Sequence, residues 1–303
     1  MTRRTIAAVL ATAAAIVCSS VERDALAQAC CVGASGLTPA WLANHERMLV
    51  GAQLRFSATH GTYPAHGRFY VPTPGRDARF ETSIFSSIRL FDRLQASVYV
   101  PLVATRRRSG EHVEGDVALG DLTLLGRYDL VRTGESRLPG IAVLAGIQAP
   151  SGVPSDRGSG LLGADVTGTG AWEGSAGVSV EKVIRHVLLH ATVLAGVRAP
   201  RDVVGVEQRL GPRALFLVAG GWVWDDDAAI LATVSHASEG DATVGGADAE
   251  GTGFRTTQLA LLVVTPLSDT LRLRTSAFTD LPPLGENRAA FGGTSISIAK
   301  SWY

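Results

Sequence analysis

Twelve side chains carry the chemistry that most needs placing: Arg55, Glu81, Arg89, Asp121, Arg127, Asp129, Glu173, Glu181, His190, Arg198, Arg272 and Arg274. They sit in segments where apolar and polar residues alternate. In "MLVGAQLRFSAT" (48–59), Val50, Ala52, Leu54, Phe56 and Ala58 fall on one face, and Gln53, Arg55, Ser57 and Thr59 on the other. Residues two apart along a strand share a face. Charges of both signs on the walls of a narrow space pair across it and fill it, or stay accessible and bias which solutes enter. Both outcomes are open at this point.

Other groupings are weaker. Ser235 and His236 are adjacent, so a strand turns them to opposite faces and they cannot act as nucleophile and base. His186 and His190 fall on one face, but no nucleophile motif accompanies them. "GTGAWEG" (168–174) precedes a strand pattern rather than a helix, which removes the reading as a phosphate-binding glycine loop. No zinc spacing or nucleophile elbow is present, so neither an enzyme nor a cofactor is expected. Arg106–Arg108 and Asp225–Asp227 read as a polar loop and a polar hairpin end; anion or lipopolysaccharide contact at the first and calcium at the second are the sharper alternatives.

The elements that must hold these residues are strands. The alternation repeats in "LQASVYVPLVAT" (94–105), "GDLTLLGRYDL" (120–130), "WEGSAGVSVEK" (172–182), "VLLHATVLAGVRA" (187–199) and "TLRLRTSAF" (270–278). In "GIAVLAGIQA" (140–149), Ile141, Val143, Ala145, Ile147 and Ala149 share one face, and the other is small and partly polar. About twelve strands are predicted: 46–59, 79–91, 94–105, 116–130, 140–149, 169–182, 186–199, 213–224, 228–237, 254–267, 270–279 and 290–303. The second, eighth, ninth and twelfth alternate least clearly. Long polar connections (60–78, 106–115, 150–168, 200–212, 238–253, 280–289) take turns with short ones (92–93, 131–139, 183–185, 225–227, 268–269).

Long and short connections in turn, on an even number of strands, are the pattern of an all-β, up-and-down, antiparallel transmembrane barrel. After residue 29 no apolar run approaches the roughly 20 residues of a membrane helix. Lipid cannot satisfy backbone polar groups, so a sheet that crosses it must close on itself. Trp172, Trp222, Trp224, Trp302, Tyr303, Tyr128 and Phe56 are candidates for the interface girdles. The alternating, aromatic C-terminal strand suits reading by the outer-membrane assembly machinery, although Tyr303 lies on the opposite parity from Ile296, Ile298 and Trp302.

Export is written at the start. Arg3 and Arg4 precede the apolar run "TIAAVLATAAAIV" (5–17), and "AQA" (27–29) is a cleavage site. Residues 1–29 are therefore expected to be a cleaved signal peptide, 30–45 a periplasmic segment beginning with Cys30 and Cys31, and 46–303 the barrel. That adjacent pair is a disulfide or metal candidate, with an ordinary disulfide or an inert tail the plainer reading. Ala27 and Gln28 are a poor match to a lipoprotein signal. The 28 basic and 28 acidic residues balance, which gives no ground for a nucleic-acid partner. The expected location is the bacterial outer membrane, and the expected partners are its lipids, its assembly machinery and a small solute.

Residues 116–182 resemble the outer-membrane transporters of the phenol meta-degradation pathway type. The residues that carry the resemblance are Gly120-Asp121-Leu122 opening a strand that reaches Arg127 and Tyr128, Pro150-Ser151-Gly152 closing the next, and Gly168-Thr169-Gly170 with Trp172 opening the one after. The resemblance implies a barrel that lets small solutes through passively, hydrophobic or aromatic ones among them. The alternatives are a closed barrel with a binding, adhesive or sensory role through its external loops, an outer-membrane enzyme, and a secreted soluble β-protein.

Overall fold

Burial shows which face of each strand turns inward. In the second strand Phe85 is 0% exposed and its neighbour Ile84 is 62% exposed. The computed structural model describes residues 40–64, 70–72, 77–224 and 228–303. Within them this alternation builds twelve strands: β1 (Met48–Tyr63), β2 (Asp77–Phe91), β3 (Leu94–Ser109), β4 (His112–Leu119 and Leu122–Val131), β5 (Gly140–Ala149), β6 (Glu173–Ile184), β7 (Val187–Arg198), β8 (Arg213–Val223), β9 (Ala229–Glu239), β10 (Phe254–Ser268), β11 (Leu271–Asp280) and β12 (Arg288–Trp302). Each pairs antiparallel with its sequence neighbours. β12 returns to β1, from Met48 opposite Trp302 to Tyr63 opposite Arg288, so the sheet has no edge within the bilayer. The expected all-β closed barrel is the fold.

The strands lean. Met48 at the lower end of β1 lies in register with Ile88, Ala96, Gly126, Ala145, Ala176, Ala195, Ala214, Ser238 and finally Arg255, at the upper end of β10. A row that climbs this far belongs to strands tilted by roughly 40°, as closure of a barrel demands. The short turns mark the periplasmic end. Outward-facing Leu54, Ile88, Leu124, Val143, Val193 and Ile298 are exposed and make the lipid belt. Tyr128, Trp222 and Trp302 face out at the periplasmic ends of their strands, and Trp172 at the opposite rim.

Four expectations are corrected. Residues 106–115 are not a loop: β3 and β4 run on as a hairpin that turns at Gly110, where φ is 61°. The three arginines 106–108 therefore lie on a strand. Polar residues on both faces above the bilayer hide the alternation without disturbing the backbone pairing. The strand expected at 116–130 is interrupted at Gly120 and Asp121. The connections at 200–212 and 238–253 contain Arg201–Val203, Val206–Arg209, Ala242–Val244 and Ala247–Ala249, which pair into a four-stranded sheet. Finally, the part of the 30–45 segment that is described does not hang in the periplasm; Ala40–Ala43 are buried. The signal segment, Cys30, Cys31 and Asp225–Asp227 lie outside the described residues.

Candidate functional site: the lumen of the barrel

All twelve side chains singled out in the sequence sit on inward-facing positions, and eight of them are buried: Asp121, Arg127, Asp129, Glu173, Glu181, His190, Arg198 and Arg274. They form separate clusters rather than one ring.

The lowest cluster holds the N-terminal segment. Ser87 and Ser97 donate hydrogen bonds to the Ala40 carbonyl, the second at 3.2 Å. The Leu42 N–H donates to Gln95 at 3.1 Å, and Arg89 donates to the Ala43 and Glu46 carbonyls at 2.7 and 2.9 Å. Glu46, fully buried, forms an ion pair with Arg272 and accepts from the Ala43 N–H at 2.7 Å. Ala40 and Leu42 pack with Phe85, Leu49 and Ala299; Gly51 is required there because a Cβ would lie 2.4 Å from the Phe85 ring. Trp41 reaches further up the lumen, against Leu144, Leu125 and Leu194, with the Arg127 guanidinium 5.7 Å from its ring centre. A short irregular segment, paired through its backbone and anchored by one tryptophan, thus fills part of the lumen near the periplasmic end.

Around it, Arg127 donates to Asp129 at 2.7 Å, both nearly dry. Thr133 donates to Glu181 at 3.3 Å while receiving the Asn44 amide on its carbonyl at 3.0 Å, and His190 Nδ1 faces Glu181 at 3.4 Å. Buried pairs of this kind fix geometry more than they stabilise, because desolvation offsets most of their attraction.

Across the barrel the inner wall changes character. Inward-facing Leu188 of β7, Leu217 and Ala219 of β8, Leu231 of β9, and Leu262 and Val264 of β10 form one buried apolar cluster. Both faces of β8 and β9 are apolar, so their alternation in the sequence was faint. The inner face is therefore apolar over the periplasmic part of β7–β10, and carries charge on β1–β4, β6 and β11 and toward the upper ends of β7–β9.

At the external mouth, Arg198 donates to Glu173 at 2.8 Å and pairs with Glu239 at 2.7 Å; Arg213 approaches Glu173 at 3.9 Å. Glu81 is held by Arg79 at 3.1 Å and by Tyr99 and Ser83 at 3.3 Å. Arg55 lies over the Phe278 ring at 4.1 Å. Glu239, Arg213, Arg79 and Arg288 were not among the sequence candidates. Three of them open or close their strands, where the alternation has too few neighbours to assign a face.

The break in β4 has a purpose. It turns the Asp121 carboxylate toward residues 150–170, where it accepts from the Gly152 N–H at 3.0 Å, the Thr169 N–H at 2.8 Å, Thr169 Oγ1 at 2.9 Å and the Gln148 amide at 2.9 Å. Ser151 Oγ repairs the broken ladder, accepting from the Leu122 N–H at 2.9 Å and donating to the Gly120 carbonyl at 2.8 Å. A Cβ on Gly152 would sit 2.7 Å from the Gly168 Cα, and one on Gly168 would sit 2.5 Å from Asp121 Oδ1. Gly120-Asp121-Leu122, Pro150-Ser151-Gly152 and Gly168-Thr169-Gly170, which are remote in sequence, therefore meet at one clasp. The loop beyond it is tied to the β3–β4 hairpin: Glu114 accepts from the Leu162 and Ala164 N–H groups at 2.7 and 3.0 Å, and Arg107 donates to the Leu162 carbonyl at 2.7 Å. Within the loop, donation from the Ser159 N–H at 2.6 Å, reinforced by its hydroxyl at 3.0 Å, holds the Asp165 carboxyl below the usual carboxylate range.

Ser235 and His236 face opposite ways; the outward His236 bonds to Thr257 Oγ1 at 2.8 Å. His186 and His190 do not share a face as expected. His186 sits in the turn, stacked on outward-facing Trp222 at 5.2 Å, because the strand begins only at Val187.

The fold is that of bacterial outer-membrane barrels. The COG4313 outer membrane channel from Pseudomonas putida F1 superposes with a TM-score of 0.68 at 15% identity, over 85% of this chain and 96% of that one. The NanC porin aligns with a TM-score of 0.49 at 9% identity, over 84% of this chain and all of the other. The CymD monoaromatic hydrocarbon channel reaches 0.40 at 10% identity, over 94% and 95%. No family model matches the chain, and neither does any curated protein. The resemblance to outer-membrane transporters of the phenol meta-degradation type thus holds at the level of fold. A closed barrel of this kind, apolar outside, suits a surround of membrane lipid.

Proposed function

We propose that the protein is a channel for passive passage of small solutes, hydrophobic or aromatic ones among them, across the outer membrane. The observation that carries this reading is the closed twelve-stranded barrel, whose fold matches the COG4313 outer membrane channel with a TM-score of 0.68. No bond is made or broken; the lumen and the mouth select by shape and charge. The C-terminal strand, closing on β1 and ending in Trp302 and Tyr303, is the element offered to the assembly machinery.

Hydrophobic solutes cross phospholipid unaided, so the test needs a lipopolysaccharide outer leaflet. Cells or asymmetric vesicles holding the barrel should take up labelled phenol faster than those without it. Equal uptake would refute the proposal. The seated Ala40–Glu46 segment favours a second reading, a closed barrel that binds through its external loops. That reading predicts loop-dependent ligand binding with no uptake at all.

A further inference from the structure

Two arginines, one midway along β1 and one at the upper end of β12, are not accounted for by the ion pairs. The Arg55 guanidinium carbon stands over Phe278, 4.1 Å from the ring centre, and that of Arg288 over Phe254 at 4.6 Å. Among the described residues neither takes part in a hydrogen bond or an ion pair, although both have charged groups nearby. Glu81, Tyr99, Arg79 and Asp280 are close to Arg55; Asp280, Arg213, Glu239 and Arg79 are close to Arg288.

The carboxylates that could neutralise them are engaged elsewhere. Glu81 stands opposite Arg55 in register, but it is taken by Arg79, Tyr99 and Ser83. Glu239 is taken by Arg198. Asp280, between the two arginines in charge terms, accepts from Gln258 at 3.1 Å and from the Phe291 N–H at 2.9 Å. A guanidinium laid on an aromatic face keeps its N–H edge free, and that edge matches a carboxylate in two parallel hydrogen bonds.

We propose that Arg55, midway along β1, and Arg288, at the upper end of β12, each backed by a phenylalanine ring, are two anion-recognising positions that favour small aromatic solutes bearing a carboxylate. At either one the carboxylate meets the guanidinium edge, and the flat apolar body lies beside Phe278 or Phe254. These positions rest on the channel reading, since they select what passes through the lumen.

The test is calorimetric titration of the full-length barrel in detergent with benzoate and with benzyl alcohol, its neutral counterpart. Benzoate should bind at least about tenfold more tightly than benzyl alcohol, the loss expected when a charge-assisted hydrogen bond is absent. The double variant R55Q/R288Q should lose that preference, and R106Q, on the outer face of β3, should keep it. Equal binding of the two ligands to the wild-type barrel, or undiminished benzoate preference in R55Q/R288Q, overturns the proposal. The wild-type comparison needs no variant to fold. Phenol uptake is measured alongside: uptake without benzoate preference defeats the anion site and leaves the channel, while benzoate preference without phenol uptake supports the site and defeats the channel.

Discussion

Replacing Asp121 with alanine tests the clasp that joins the three motifs. The carboxylate accepts four hydrogen bonds, two of them from the backbone N–H groups of Gly152 and Thr169. Hydrogen bonds to a charged group are worth about 1.5–3 kcal/mol each. If water replaces the two side-chain donations, the backbone pair alone, at the lower end of that range, accounts for roughly 3 kcal/mol. At 1.4 kcal/mol per factor of ten, the loop at 150–170 should open on the order of a hundredfold more often. Exposed Arg157 gives trypsin a place to read that opening. Where reclosing outpaces cleavage, the cutting rate follows the open population. D121A should therefore be cut after Arg157 on the order of a hundred times faster than wild type while the barrel itself stays intact. D121N, which keeps one accepting oxygen, should fall between the two. An unchanged rate after Arg157, or cuts spread through the strands, would refute the local clasp.

Further outcomes follow from other sites. Trp41→Ala removes the anchor of the N-terminal segment, at about 3 kcal/mol for a buried tryptophan, and should raise ion conductance in planar bilayers; unchanged conductance would mean the segment does not obstruct the lumen. Val193→Arg, on the lipid face midway along β7, should lower unfolding free energy by about 2–4 kcal/mol in urea titration; a neutral result would place that face away from lipid. Because the Asp165 carboxyl is held low, its contribution to loop order is complete above about pH 4 and is lost as pH falls through its depressed value. The protection of the Ser159 amide against hydrogen exchange, relative to its intrinsic rate at each pH, should fall over that range, and Asp165→Asn should abolish the dependence.

Most of the barrel was legible because an interface between lipid and water imposes a period of two on every strand. Leu54 against Arg55 and Val193 against Thr192 declare their faces without a neighbour's help. The period fails where the two faces meet similar surroundings. β8 and β9 meet lipid outside and an apolar wall inside, so Leu217 and Leu231 left no contrast with Val218 and Ile230. Above the bilayer water bathes both faces, so the β3–β4 hairpin read as a loop. "AWLANHE" (40–46) offered two large apolar residues outside any strand, a signal for a buried segment that periodicity does not capture. The clasp was visible only as three separate motifs; nothing in one chain's sequence says that Asp121, Gly152 and Gly168 touch.

The measurement nearest the central claim is phenol uptake by cells carrying a lipopolysaccharide outer leaflet, compared with and without the barrel. A channel for small apolar solutes predicts faster uptake when the barrel is inserted. Equal uptake with and without it would contradict the account.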